Sequence, residues 1–111
     1  MRITTHILDL AAGRPAAGVG VTLEFAERGA WAKVGQGVTS SDGRLTALDA
    51  GAPLATGTYR LSFATGPYLD GRGVPAFYPE VAIVFVVRDG REHHHVPLLL
   101  SPFGYSTYRG S

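Results

Sequence analysis

The amino-acid sequence predicts an all-β sandwich of seven or eight short antiparallel strands, with at most one short helix. Three observations carry that expectation. Apolar and polar residues alternate with a period of two in several short runs, most cleanly where Val19, Val21, Leu23 and Phe25 face one way and Gly20, Thr22 and Glu24 the other. Turn segments rich in glycine and proline separate these runs at regular intervals, and no stretch carries a sustained helical period.

Taken in order, residues 2–8 form a strand with Ile3, Thr5 and Ile7 on one face and Thr4, His6 and Leu8 on the other. Residues 9–18 are turn material, 19–25 the cleanly alternating strand, and 31–39 a weaker strand interrupted by glycines. The Asp42-Gly43 step closes a turn at 40–43 and leads into a short strand at 44–48. A loop at 49–56 precedes a strand at 57–64 with Tyr59, Leu61 and Phe63 on one side. Prolines and glycines break up 66–79 and leave room for one helical turn near 68–72. Residues 81–87 are apolar on both faces, as expected of a central strand covered on two sides. Asp89-Gly90 signals a hairpin into 92–100, and 105–111 is the closing strand. Pro97 inside the 92–100 run predicts an edge or a bulge there.

With 111 residues, 45% of them hydrophobic, the chain suits a single domain over 1–111 built around one core. A formal net charge of +1 with scattered basic residues gives no stripe for nucleic acid. The absence of cysteine excludes disulfides, thiolate metal sites and cysteine nucleophiles. No run approaches the ~20 apolar residues of a membrane helix, and the sequence enters its first strand pattern without an apolar signal core. A cytoplasmic protein with no membrane partner is therefore expected.

Chemically useful residues concentrate in the last nineteen positions, from His93 onward. Successive strand residues point to opposite faces, so the three consecutive histidines do not act together. His94 shares a face with Val96, Leu98 and Leu100 and belongs at the core margin. His93 and His95 share the other face at a spacing open to a metal ion, but no carboxylate or thiol stands beside them, and no metal is expected. Taken alone, His6 and Arg44 read as ordinary surface groups.

Longer motifs change that. His95–Ser111 (HVPLLLSPFGYSTYRGS), Thr4-Thr5-His6-Ile7-Leu8-Asp9, Gly13-Arg14-Pro15-Ala16, Ser41-Asp42-Gly43-Arg44 and Phe77-Tyr78-Pro79 together span nearly the whole chain. They resemble the transthyretin-related 5-hydroxyisourate hydrolases of urate breakdown. The resemblance implies a transthyretin-like (prealbumin-like) sandwich and a homotetramer with its sites at the dimer–dimer interface. It also implies a catalytic set of His6, Arg44, His95 and Ser111, and a substrate pocket completed by Tyr108, Arg109 and Gly110, with no cofactor and no metal.

The implied substrate, 5-hydroxyisourate, is opened at its N1–C6 acyl bond by water. That step needs a base near neutral pH, a proton donor for the leaving nitrogen and positive charge at the oxyanion. His6 and His95 are the expected proton carriers, either of which could activate water. Arg44 offers a planar fork of donors, and Ser111 either orients a partner or attacks as a nucleophile. The alternative is a non-catalytic transthyretin-like carrier of a small aromatic ligand.

Overall fold

Strand β1 (Ile3–Asp9) lies where its alternation places it: Ile3, Thr5 and Ile7 are buried. The computed structural model describes residues 2–49 and 53–111, so positions 50–52 of the expected 49–56 loop lie outside the described residues. Around β1 gather β2 (Arg14–Pro15), β5 (Arg44–Leu45), β8 (His94–His95), β9 (Leu98–Ser101) and β10 (Gly104–Thr107) in a six-stranded sheet. The second, four-stranded sheet runs β4 (Ala30–Val38), β3 (Gly20–Glu27), β6 (Gly57–Phe63), β7 (Val81–Val87). Ile3, Ile7, Leu98 and Leu100 from the first sheet meet Val21, Leu23, Leu61, Phe63 and Val81 from the second, and these side chains form the core between the layers. No helix among the described residues is long and apolar enough to cross a membrane.

The sandwich is the expected architecture, and several details correct the expectation. Pairing is antiparallel except where β1 meets β8 and β9, which run parallel to it. The expected strand at 92–100 is two segments, β8 and β9, on either side of Pro97. No bulge forms at that break. Ile3 pairs with His94 and Ile7 with Leu98, so the register is the same before and after the proline. The N–H groups of His94 and Val96 donate to the Arg2 and Thr4 carbonyls at 2.6 and 2.9 Å. By alternation the Pro97 nitrogen faces away from β1, where no ladder bond is lost. On that far side its carbonyl accepts the Thr107 hydroxyl at 2.7 Å.

Asp89-Gly90 does make a turn, but the strands it joins belong to different sheets, so it is a crossover and not a hairpin. Strand β7 is an edge of its sheet and not a central strand, with Val84 57% and Val86 47% exposed. Apolar residues on both faces mark burial on both sides only if something covers the second face, and within one chain nothing does. The helix α1 (Thr65–Gly71) starts earlier than the turn expected at 68–72. Pro67 sits in its first turn, where a backbone N–H has no intrahelical acceptor in any case. The helix buries Leu69 and lets Tyr68 Oη donate to Asp9 Oδ2 at 2.8 Å. The strands expected at 44–48 and 105–111 shrink to β5 and β10, the latter followed by a single bridge between Gly110 and His95.

The turn before β5 is tightly specified. Gly43 has φ +78°, and a Cβ there would lie 2.5 Å from the Ile7 carbonyl oxygen. Gly43 also donates to Ser40 O and accepts from Ile7 N, both at 2.8 Å, and so pins the turn to β1. Gly43→Ala should therefore cost about 1–3 kcal/mol in chemical denaturation.

Candidate functional site

Residues paired directly across strands point to the same face, as do residues two apart on one strand. His6 pairs with Arg44, Thr4 pairs with His95, and His95 bridges to Gly110. With Thr4 and His6 two apart on β1, one rule places Thr4, His6, Arg44, His95 and Gly110 on a single face, the one turned away from the core. An open cleft of about 420 Å³ lies there, lined by Thr4, Thr5, Arg44, Thr46, His93, His95 and Ser111.

The structure thus brings together Arg44, His95 and Ser111 of the expected set. His6 stands beside the cleft through its pairing with Arg44, and its Nε2–H donates to the Asp42 carbonyl at 2.8 Å. Gly110 presses on His95: a Cβ at position 110 would fall 2.6 Å from His95 Cδ2, so only glycine lets the imidazole occupy its place. Tyr108 and Arg109 do not line the cleft within one chain. Tyr108 is exposed, and the Arg109 guanidinium approaches the His93 carbonyl at 3.4 Å and Glu92 at 3.9 Å.

His94 is buried at the core margin, as its strand face requires, with Nδ1 3.1 Å from the Glu92 carbonyl. His93 and His95 share the opposite face, their rings stacked at a centroid distance of 6.3 Å. Both aim a nitrogen at one hydroxyl: Thr4 Oγ1 lies 3.0 Å from His93 Nε2 and 2.8 Å from His95 Nδ1. Sequence reasoning passed over Thr4 and treated His93 only as a potential metal ligand. The period-two pattern already put Thr4 on the face of His6, and that was the available signal. Among the described residues, no group of three or more His, Cys, Asp or Glu side chains is placed to hold a metal.

Charge in the cleft is positive. Burial first, then the charges of Arg44, His93 and His6, pushes the His95 pKa below its ordinary 6.5. His95 is therefore neutral at pH 7 and able to accept a proton. Arg44 is steadied through Nε by Asp42 at 3.7 Å. The Asp42 carboxyl is itself held low, chiefly by the Ser40 hydroxyl and then by the Arg44 backbone N–H.

Residues 3–110 match the HIUase/Transthyretin family. The chain belongs to that family. It is 50% identical to 5-hydroxyisourate hydrolase 2 of Rhizobium meliloti, over 99% of this chain and 96% of the relative. It is 45% identical to the 5-hydroxyisourate hydrolase of Salmonella dublin, over 98% of this chain and 80% of the relative. Among solved structures, a Klebsiella pneumoniae 5-hydroxyisourate hydrolase superposes with a TM-score of 0.84 at 38% identity, covering 98% of both chains. A sea bream transthyretin in complex with thyroxine superposes with a TM-score of 0.93 at 30% identity, covering 99% of this chain and 95% of the other. The fold of the family accordingly spans a hydrolase and a thyroxine-bound transthyretin, and the side chains in the cleft must tell the two apart.

Two expectations follow. His95→Asn should lower turnover about a hundred- to ten-thousand-fold with the fold retained, whereas His94→Phe should leave turnover near that of the parent; equal losses would reverse the assignment of strand faces. Because His95 loses its proton below the ordinary histidine range, the acid limb of kcat/KM should lie below pH 6.5. A pH–rate profile from about pH 4 to 9 checks the sign.

Proposed function

We propose that this protein is a metal-independent 5-hydroxyisourate hydrolase that opens the six-membered ring of its substrate at N1–C6 to give 2-oxo-4-hydroxy-4-carboxy-5-ureidoimidazoline. One observation carries the reading. In a chain 45–50% identical to hydrolases of this name, the cleft holds two imidazoles, a guanidinium and several hydroxyls on one sheet face. A carrier of an apolar aromatic ligand has no use for that concentration of proton-carrying and cationic groups.

His95, neutral and partly buried, is the group suited to take a proton from water. Water adds to the ring carbonyl, and Arg44 supplies fixed positive charge and directional donors to the oxyanion that forms. Collapse of the tetrahedral species breaks the C–N bond, and the nitrogen leaves with a proton returned by a histidine. With Nε2–H committed to the Asp42 carbonyl, a neutral His6 ring keeps Nδ1 as its acceptor nitrogen. We assign it to substrate binding and proton transfer beside Arg44. Ser111 orients the substrate or a histidine. Tyr108, Arg109 and Gly110 complete the pocket, Gly110 by fixing the His95 ring.

A homotetramer with sites facing one another across the dimer–dimer interface fits the surface. The cleft opens on the outer face of its sheet, β7 and β10 are free sheet edges, and Val84, Val86, Phe77 and Phe103 lie exposed. In such an assembly Tyr108 and Arg109, outside the cleft of their own chain, stand where a second copy could use them.

The direct test follows freshly generated 5-hydroxyisourate in the ultraviolet with and without catalytic amounts of the protein. Acceleration is expected; a carrier would leave the spontaneous decay unchanged. Arg44→Lys keeps the charge but loses the planar fork, and should still lose about a hundredfold in kcat. Near-parent activity in that variant would reduce Arg44 to a distant positive field.

A further inference from the structure

Thr4 is buried, at 7% exposure, and its hydroxyl lies within hydrogen-bond distance of two imidazole nitrogens with only one proton to give. It therefore cannot donate to both rings at once. Any order of protons along the line His95–Thr4–His93 fixes the tautomer of each ring.

We infer that Thr4 is a positioning residue that couples His95 to His93 as a proton relay, so that one imidazole serves in turn as base and as acid. The inference rests on the hydrolase reading above. To accept a proton from water, His95 must present a lone pair on Nε2, which places its own proton on Nδ1. Nδ1–H then donates to Thr4 Oγ1, and in the relay the Thr4 hydroxyl donates to His93 Nε2. When His95 Nε2 takes the proton of water, the Nδ1 proton passes to Thr4, and the Thr4 proton passes to His93. The ring left in the cleft is neutral and carries Nε2–H, the form that can protonate the leaving nitrogen. The positive charge now sits on exposed His93, which sheds a proton to solvent. When the leaving nitrogen takes the Nε2 proton, the two shifts run backwards, His93 recovers a proton from solvent, and the starting arrangement returns. No proton is gained or lost over the cycle.

The surroundings favour that direction. His95 is faced by Arg44 from β5, by His6 and Thr4 from β1, by His93 from the segment before β8, and by Ser111 and Gly110 from the chain's last residues. Three of these neighbours are cationic or can become so, and an imidazolium held at His95 would be repelled by them. His93 is exposed, and its carbonyl and the adjoining Glu92 both contact the Arg109 guanidinium, so Glu92 is the nearby carboxylate on the exit side.

The protein itself, free of substrate, gives the first test. Nitrogen-15 spectra of the histidine side chains should show neutral His95 protonated on Nδ1; protonation on Nε2 would overturn the relay. In kinetics, Thr4→Val should lower kcat about ten- to a hundredfold with KM nearly unchanged. It should also move the acid limb of kcat/KM to lower pH, because an unsatisfied Nδ1–H disfavours the imidazolium. Thr4→Ser, which keeps the hydroxyl, should restore most of the rate. Adding His93→Gln to Thr4→Val should cost nothing further, since the two act as one unit. A raised KM at unchanged kcat, an unmoved pH limb, or multiplying losses in the double variant would each reduce Thr4 to packing. Should the parent protein fail to accelerate 5-hydroxyisourate decay, the hydrolase reading falls. The nitrogen-15 spectra then still decide the order of protons along the three residues.

Discussion

Everything in the first sheet depends on strand β1 being bonded along both edges. One edge takes β5 and β2, the other takes β8 and β9 in parallel. The start of β1 is fixed by the Asp49 carboxylate, which accepts from the backbone N–H groups of Arg2 and Ile3 at 2.9–3.1 Å. Its end is fixed by Asp9, which meets Ala12 N at 2.9 Å and Tyr68 Oη at 2.8 Å. A strand clamped at both ends cannot slip, and a slip of one residue would exchange its two faces. Ile3, Thr5 and Ile7 would then leave the core, and Thr4 and His6 would leave the cleft. Core and site are thus two sides of one register.

The alternation that revealed the strands could not reveal their neighbours. Residues 19–25 and 57–64 were legible because each buries one stripe, and β3 and β6 do pair antiparallel through Val21–Phe63 and Leu23–Leu61. Residues 81–87 were misplaced within their sheet because apolar side chains on both faces look the same whether a helix, a sheet or a second copy covers the outer one. Asp89-Gly90 was read correctly as a turn and wrongly as a hairpin. A two-residue turn signal specifies local φ and ψ, and says nothing of whether the next strand returns to the same sheet. Pro97 is the instructive case. The missing N–H matters only if it points at a bonded neighbour, and that is settled by the parity of the register with β1, whose paired residues lie 91 positions away in sequence.

The candidate site was legible to the extent that it rides on that parity. Alternation puts His6, Thr4 and His95 on faces opposite the apolar stripe from sequence alone, but it gives Thr4 no role there. What sequence did not hold was the convergence of His93 and His95 on a single hydroxyl. Two histidines at strand spacing suggest chelation, yet here the partner between them is oxygen on a buried threonine of another strand. Gly110 was likewise visible only as part of a motif; its physical role is the absence of a side chain where the His95 ring lies.

The charge pattern of the cleft separates the tasks of its residues. No Asp or Glu side chain is among its lining residues, and Arg44 brings a guanidinium to it. Burial first, and then the Arg44 field, lower the proton affinity of His95; under the proposed hydrolase reading, the guanidinium would also answer the negative charge of an oxyanion. A carboxylate in Arg44's neighbourhood would work against both functions if it pointed into the cleft. Asp42 instead stands outside the lining and holds Arg44 through Nε. Because His6 donates to the carbonyl of that same Asp42, the turn at 40–43 sets the cation and the second histidine together. Its tight geometry around Gly43 is therefore part of the site as much as of the fold.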